Sequence, residues 1–244
     1  MKVDVVTLFP EIFSGIFTES ILQRAVKSEH LTVNLHNLRD YTNDKHHQAD
    51  DYRFGGGPGM LLKPEPFFRV LREIFKNAEK RPLVIFPSPQ GELFSQESAN
   101  ELSQEEHLVF LCGHYKGVDQ RVIERWVDRE YSLGDYVITG GELATAVMVD
   151  AAVRLIPGVL GDLDSALTDS FQDGYLDSFH YTRPEIINDN RVPGVVLSGH
   201  HVNIDIWRRE MAKLITRQRR PDMIAIKQDK EQWKTGKNSP HGIS

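Results

Sequence analysis

Three short segments combine glycine with small polar or aromatic residues: Pro87-Ser88-Pro89-Gln90-Gly91-Glu92, Cys112-Gly113-His114-Tyr115-Lys116-Gly117, and Ser132-Leu133-Gly134-Asp135-Tyr136-Val137-Ile138-Thr139-Gly140-Gly141-Glu142. In parallel α/β sheets ligands bind beyond the carboxyl ends of the strands, and three such loops side by side surround a small cofactor with backbone donors and acceptors. None carries the dinucleotide fingerprint or the Gly-Lys-Ser/Thr of a phosphate-binding P-loop, which ranks NAD and ATP low. Service as plain turns is the other use of such glycines. A fourth segment, Gly55-Gly56-Gly57-Pro58-Gly59-Met60, places four glycines in five positions. That is costly in backbone entropy unless the fold needs positive φ or close approach to a ligand. Just before it, His46, His47, Asp50 and Asp51 are potential metal ligands, but adjacent histidines without zinc spacing make a poor chelate.

The elements that must position these loops follow from hydrophobic periodicity. Lys2 to Phe9 and Leu31 to Leu38 read as strands with a helix at Ser20 to Glu29 between them, while Asn43 to Pro58 reads as loop. Pro64 to Glu79 has Phe67, Leu71, Ile74, Phe75 and Ala78 on one helical face, with proline where a first turn tolerates it. Leu83 to Phe86 and His107 to Cys112 are short apolar runs, the mark of strands buried on both faces. Helices are predicted at Ser95 to Leu102, Asp119 to Glu130 and Glu142 to Ile156, with a further strand near Asp135 to Ile138. Alternating strands and helices predict an α/β domain with a mostly parallel sheet over 1–160. Residues 161–177 are rich in Asp and Gly and predict a flexible acidic linker, and 178–244 predict a smaller helical domain. Its main helix runs from Val202 to Arg219 with Ile204, Trp207, Met211, Leu214 and Ile215 inward, stopped by Pro221.

Composition narrows the class. The 244 residues carry 29 Lys and Arg against 35 Asp and Glu, a net charge of −6. Such a profile excludes collagen, low-complexity disorder and disulfide scaffolds. One cysteine, Cys112, makes no internal bridge and suits a reducing compartment. The amino terminus is too short and too charged for a signal peptide, and the apolar stretch Ala144 to Leu160 is broken by Asp150, Arg154 and Pro157, so no membrane partner is expected and the cytoplasm is the expected location. Charge is uneven: residues 207–238 hold ten Lys and Arg against four acids, which leaves −12 for the remainder. A basic tail on an acidic body points to a polyanion partner, or simply to a solvated helix face.

Taken in order, Asp40-Tyr41, Asp44-Lys45-His46, Asp50-Asp51, Gly55 to Met60, Ser88-Pro89-Gln90-Gly91, Cys112-Gly113-His114-Tyr115, Gly134-Asp135-Tyr136-Val137, Gly140-Gly141-Glu142-Leu143, Arg154-Leu155-Ile156-Pro157-Gly158-Val159, Asp169-Ser170-Phe171 and Tyr181-Thr182-Arg183-Pro184 resemble the bacterial tRNA (guanine-N1-)-methyltransferases. The match covers nearly the whole chain. The resemblance implies a knotted SPOUT-class enzyme whose α/β domain carries a deep trefoil knot, an exception to ordinary unknotted topology. It also implies a homodimer, S-adenosyl-L-methionine as methyl donor, a magnesium requirement, and methylation of the guanosine beside the anticodon at tRNA position 37. The cofactor residues it implies are Ser88, Pro89, Gln90, Gly91, Gly113, Tyr115, Gly117, Ser132, Leu133, Gly134, Asp135, Tyr136, Val137, Ile138, Gly140 and Gly141. Those for tRNA are Gly55, Gly56, Gly57, Gly59, Met60, Arg183, Arg208, Arg209, Arg217 and Arg219. No protein partner beyond a second copy is implied.

Guanine N1 carries a proton and its lone pair is tied into the ring, so attack on a sulfonium methyl needs a base at N1 and a cation facing O6. Asp169 falls where the family's general base stands and Arg154 where its O6-stabilising cation stands. Read without the resemblance, Asp169 is one acid among several on a solvated linker, and Arg154 pairs four residues along with Asp150. The chain departs from the family at Lys116, where Glu is usual, at Gln120 in place of Glu, and at Ala144 in place of Pro. Lys116 reverses a charge beside the cofactor loop and keeps open a catalytically silent RNA-binding protein of the same fold. A related knotted enzyme acting on ribosomal RNA is the other alternative.

Overall fold

The computed structural model describes residues 1–161 and 168–225. The predicted linker residues 162–167 and the tail lysines Lys227, Lys230, Lys234 and Lys237 lie outside the described residues. The chain divides into two compact units, Met1–Leu163 and Asp164–Ser244.

In the first unit, five strands form one sheet: β1 (Lys2–Thr7), β2 (Thr32–Asn37), β5 (Leu83–Leu93), β6 (His107–Leu111) and β7 (Arg129–Ser132), in the spatial order β2-β1-β6-β5-β7. Every pairing is parallel. Alternation along each strand feeds two apolar layers. Val3, Val5, Ile85, Leu108 and Phe110 face one side, with α1 (Ser20–Lys27), α3 (Gln96–Ser103) and α5 (Glu142–Val153). Val6, Val84, Val109 and Leu111 face the other, with α2 (Pro64–Lys76) and α4 (Gln120–Trp126). Each large side chain so buried contributes about 1.5–3 kcal/mol. Of the face expected in α2, Phe67, Leu71 and Ile74 are buried, with Val70 beside them, whereas Phe75 is half-buried and Ala78 lies beyond the end of the helix at Lys76.

Two expectations for this unit are corrected. The strand placed at Asp135 to Ile138 is instead β7 at Arg129–Ser132. Gly134 takes φ +143 and its carbonyl accepts the Tyr136 N–H at 2.9 Å, so the chain turns before 135–138, which is left exposed. The helix expected through Glu130 accordingly ends at Trp126. The stretch Asn43 to Pro58 is not all loop: β3 (Asp50–Tyr52) pairs antiparallel with β4 (Met60–Leu62). The connection between them turns on Gly55, Gly56, Gly57 and Gly59, all at positive φ, the conformation in which glycine is cheapest.

The second unit holds the short hairpin of β8 (Ile186–Ile187) and β9 (Asn190–Arg191), then α6 (Gly194–Leu197) and α7 (His201–Arg219). Ile204 and Ile215 of α7 are buried as expected, but Leu214 is 43% exposed and Thr216 is buried in its place. The Thr216 hydroxyl donates to the Ala212 carbonyl at 2.7 Å and accepts the Leu176 N–H at 2.8 Å. That bond satisfies a buried hydroxyl and ties the segment after Asp169 to α7. The same segment is knitted internally, Asp177 N–H donating to Ser170 Oγ at 2.9 Å and Phe171 N–H to the Tyr175 carbonyl at 2.7 Å.

Candidate cofactor pocket

A pocket of about 290 Å³ opens at the carboxyl ends of β5, β6 and β7. The predicted Ser88, Pro89, Gly113, Tyr115, Gly117, Ser132, Leu133, Gly134, Tyr136, Val137, Ile138, Gly140 and Gly141 all line it. Gln90, Gly91 and Asp135 do not. Gln90 and Asp135 are exposed, and Gly91 serves packing: a Cβ on it would sit 2.5 Å from the Tyr131 backbone nitrogen. Gly91 therefore lets the irregular end of β5 lie directly on β7. Pro87, His114, Lys116 and Thr139 of the three predicted loops, absent from the residues the resemblance implies, also line it, and Phe86, Tyr131 and Ala144, outside those loops, complete the lining. Phe86 was legible as a strand residue but not as pocket floor, because periodicity does not say which core side chain faces a cavity; Tyr131 fell in no predicted strand.

The loops cross rather than merely neighbour one another. His114 and Gly140 form an antiparallel bridge, and the Gly141 N–H donates to the Gly113 carbonyl at 2.8 Å. A Cβ on Gly141 would lie 2.9 Å from Cys112 Cα, so the crossing requires glycine. Cys112 beneath it is buried, its Sγ 3.4 Å from Thr145 Oγ1. Burial pushes its thiol above the ordinary range, and the nearby Glu142 charge pushes the same way, so it is inert as a nucleophile.

The β3–β4 hairpin is fastened to this crossing. Lys116 N–H donates to the Met60 carbonyl, and Leu62 N–H to the Gly117 carbonyl, both at 3.1 Å. The Lys116 stem packs where Gly59 lacks a side chain, its Cγ 2.8 Å from the position of a Cβ. At the hairpin tip Arg53 Nε donates to the Gly56 carbonyl at 2.7 Å. Phe54 is fully exposed and Tyr52 is 82% exposed. These two aromatics were not singled out from the sequence; their alternation with Arg53 beside the glycine run was the available signal.

Among the described residues lining the pocket, apolar and aromatic groups alternate with backbone amides, Lys116 is the single permanent cation, and no carboxylate is present. Arg154 caps the carboxyl end of α5 in the first unit. Asp169 lies in the second unit, half-buried at the start of the turn that Thr216 anchors. Arg183, Arg208, Arg209, Arg217 and Arg219 are all exposed; Arg208 lies 3.5 Å from Asp205, and Arg219 stands 5.9 Å over the Phe179 ring. No group of three or more His, Cys, Asp or Glu side chains able to hold a metal is found among the described residues. The four potential ligands His46, His47, Asp50 and Asp51 are therefore not gathered into a site. No described helix is long and apolar enough to cross a membrane.

A parallel α/β sheet with a glycine-built pocket beyond its strand ends defines a class of small-cofactor-binding domain. Comparison with known proteins narrows that class to one family. Residues 1–226 match the family model described as tRNA (Guanine-1)-methyltransferase TrmD. The chain is 48% identical over 244 aligned residues, 97% of its own length and 100% of the relative's, to a protein named tRNA (guanine-N(1)-)-methyltransferase from Bacillus cereus strain AH820. Proteins of the same name from Bacillus anthracis strain CDC 684 / NRRL 3495 and Bacillus thuringiensis subsp. konkukian strain 97-27 match to the same extent. The chain belongs to the tRNA (guanine-1)-methyltransferase TrmD family.

Proposed function

We propose that this protein methylates N1 of guanosine in tRNA, at position 37, with S-adenosyl-L-methionine as donor. The observation that carries the reading is the pocket where three loops meet at parallel strand ends, in a chain of this family. Its size, apolar walls and backbone donors suit an adenosyl group bearing a short polar tail. When bound, S-adenosyl-L-methionine supplies an electrophilic methyl on a sulfonium. The chain supplies the rest. Asp169, which stands where the family's general base stands, takes the N1 proton. Arg154 faces O6 and holds the negative charge that develops there. A positioned general base contributes typically 10²–10⁴ in rate, and a preorganised donor at an oxyanion roughly 3 kcal/mol.

The tRNA is held by the exposed arginines of the second unit and by the β3–β4 hairpin, whose glycines admit close backbone approach and whose Tyr52 and Phe54 offer stacking faces to unpaired bases. The family's trefoil knot is proposed for 1–160 and an RNA-binding domain for 178–244; of the expected flexible linker at 161–177, the part after Asp169 is instead held to α7 through the Leu176 N–H bond to Thr216. A homodimer is proposed on α5, whose Met148 and Val149 are buried, whereas the apolar Leu143 and Val147 are 55% and 50% exposed. A second copy covers such a face. If each active site then draws on both chains, mixing Arg154→Ala with Asp169→Ala under subunit exchange restores activity, and no complementation would count against the shared site. Magnesium, expected from the resemblance, has no protein cage among the described residues, and no step of the proposed reaction runs through it.

The direct test is to incubate the protein with undermodified tRNA and labelled S-adenosyl-L-methionine and map the modified nucleotide. Label at N1 of guanosine 37 is expected. No transfer would favour a silent RNA-binding protein, and transfer to ribosomal RNA alone would favour a different knotted enzyme.

A further inference from the structure

Beneath the pocket lies a polar arrangement that the proposed methyl transfer does not use. Glu142 opens α5 and is 2% exposed, an expensive place for a carboxylate unless both oxygens are satisfied. Its Oε1 accepts the Thr7 hydroxyl at 2.7 Å, and Thr7 Oγ1 accepts the Phe9 N–H at 2.9 Å. Its Oε2 is directed at the vacant side-chain position of Gly140. His114 Nδ1 lies 2.6 Å from the same position, and the Gly113 carbonyl oxygen 3.3 Å from it. That nitrogen is buried and has no hydrogen-bond partner, a costly condition for a polar atom. The imidazole is otherwise held by two rings, its centroid 4.8 Å from that of Phe9 and 4.8 Å from that of Tyr115. A carboxylate oxygen and an unpartnered imidazole nitrogen thus converge on one gap, and only glycine at 140 leaves that gap open.

We propose that His114 and Glu142 form a clasp, Nδ1–H donating to Oε2 through one water or after a small rotation of the ring. The clasp fastens the 113–117 loop to the 139–141 loop at their crossing. It stands where His114 bridges Gly140 and Gly141 donates to Gly113, so it sets the spacing of two walls of the pocket. The two side chains are positioning residues. Thr7 carries the same network back to the end of β1, which makes the floor of the pocket continuous with the central sheet. The role in cofactor binding rests on the pocket being the S-adenosyl-L-methionine site; the clasp itself does not.

Two measurements separate these. The first is NMR of the full chain with nitrogen-15-labelled histidine. Protonated Nδ1 of His114 is expected in the wild type, with its resonance displaced in Glu142→Gln. An unprotonated Nδ1, or one indifferent to Glu142→Gln, overturns the clasp whatever the cofactor does. The second is calorimetric titration with S-adenosyl-L-methionine of the wild type, His114→Phe, Glu142→Gln, the double variant and His114→Arg. His114→Phe keeps the ring packing and loses the donor, so its dissociation constant is expected to rise about tenfold or more, as loss of a charge-assisted bond implies. The double variant is expected to bind no more weakly than the worse single one, the signature of a coupled pair. His114→Arg restores a donor and is expected within roughly threefold of the wild type. Affinity unchanged in His114→Phe, or strictly additive losses, overturns the positioning role. A wild type that binds no S-adenosyl-L-methionine overturns the pocket reading and that role together, and the NMR result still decides the clasp.

Discussion

Replacing Asp4 by Asn is expected to destabilise the first unit by about 2–3 kcal/mol near neutral pH, and the loss is expected to vanish in acid. Asp4 sits in mid-β1 with its side chain 2% exposed. Its Oδ1 accepts from His36 Nε2 at 2.7 Å and Asn34 Nδ2 at 3.0 Å, and its Oδ2 lies 2.5 Å from His107 Nε2 and 3.5 Å from Lys2 Nζ. Burial alone would raise its pKa. The hydrogen bonds from His36, His107 and Asn34, with the Lys2 charge, outweigh burial and hold it at about 2 against an ordinary 3.8. A difference of roughly two units, at about 1.4 kcal/mol each, gives that magnitude. Because the folded pKa is depressed, this stability is fully present above about pH 4 and is lost as pH falls toward 2. The expected gap in Tm at pH 7 is roughly 5–10 °C for a unit of this size. Circular-dichroism melts of both proteins at pH 7, 4 and 2.5 check it. Equal Tm at pH 7, or a gap that fails to shrink by pH 2.5, refutes the reasoning.

Three further outcomes are expected. Asp169→Asn keeps size and polarity but removes basicity, so single-turnover methyl transfer at saturating tRNA should fall at least about 10²-fold with cofactor affinity unchanged; a wild-type rate there would place the base elsewhere. Arg217→Ala with Arg219→Ala should weaken tRNA binding and lower the salt slope by about one for each phosphate no longer neutralised, with little effect on the chemical step, as filter binding across a salt series would show. Phe54→Ala should raise KM for tRNA by about fivefold or more with kcat nearly unchanged, since a base–aromatic stack is worth about 1–3 kcal/mol; an unchanged KM would remove the hairpin tip from the RNA surface.

What the sequence made legible follows from which physical signals are local. The parallel sheet was readable because Leu83–Phe86 and His107–Cys112 are continuous apolar runs, and such runs arise only where both faces are covered. α2 was readable because its buried residues repeat at helical spacing after a proline. β7 was missed for the converse reason. Arg129-Glu130-Tyr131-Ser132 carries two charges and little apolar pattern, and it becomes a strand because β5 offers it an edge. Tyr136-Val137-Ile138 has the composition of a strand but follows a glycine whose φ of +143 ends the pairing. The β3–β4 hairpin escaped because Asp-Asp-Tyr has low strand propensity and pairs only through contact with Met60 to Leu62.

The pocket divides along the same line. Its loops could be named from glycine content, since glycine marks turns and close approaches within a few residues. What those glycines are for could not. Gly91 lets two strands touch, Gly141 lets two loops cross, and Gly140 leaves room for two polar groups from separate elements. His114 and Glu142 lie 28 residues apart, and neither carries a local sign of the other. Only the bridge between residues 114 and 140 brings an imidazole and a carboxylate to one gap. A buried polar group declares itself by what surrounds it, and its surroundings are set by topology. The wall residues of such a pocket are therefore legible in a single sequence, whereas the groups that hold the walls apart become legible once the loops are seen to cross.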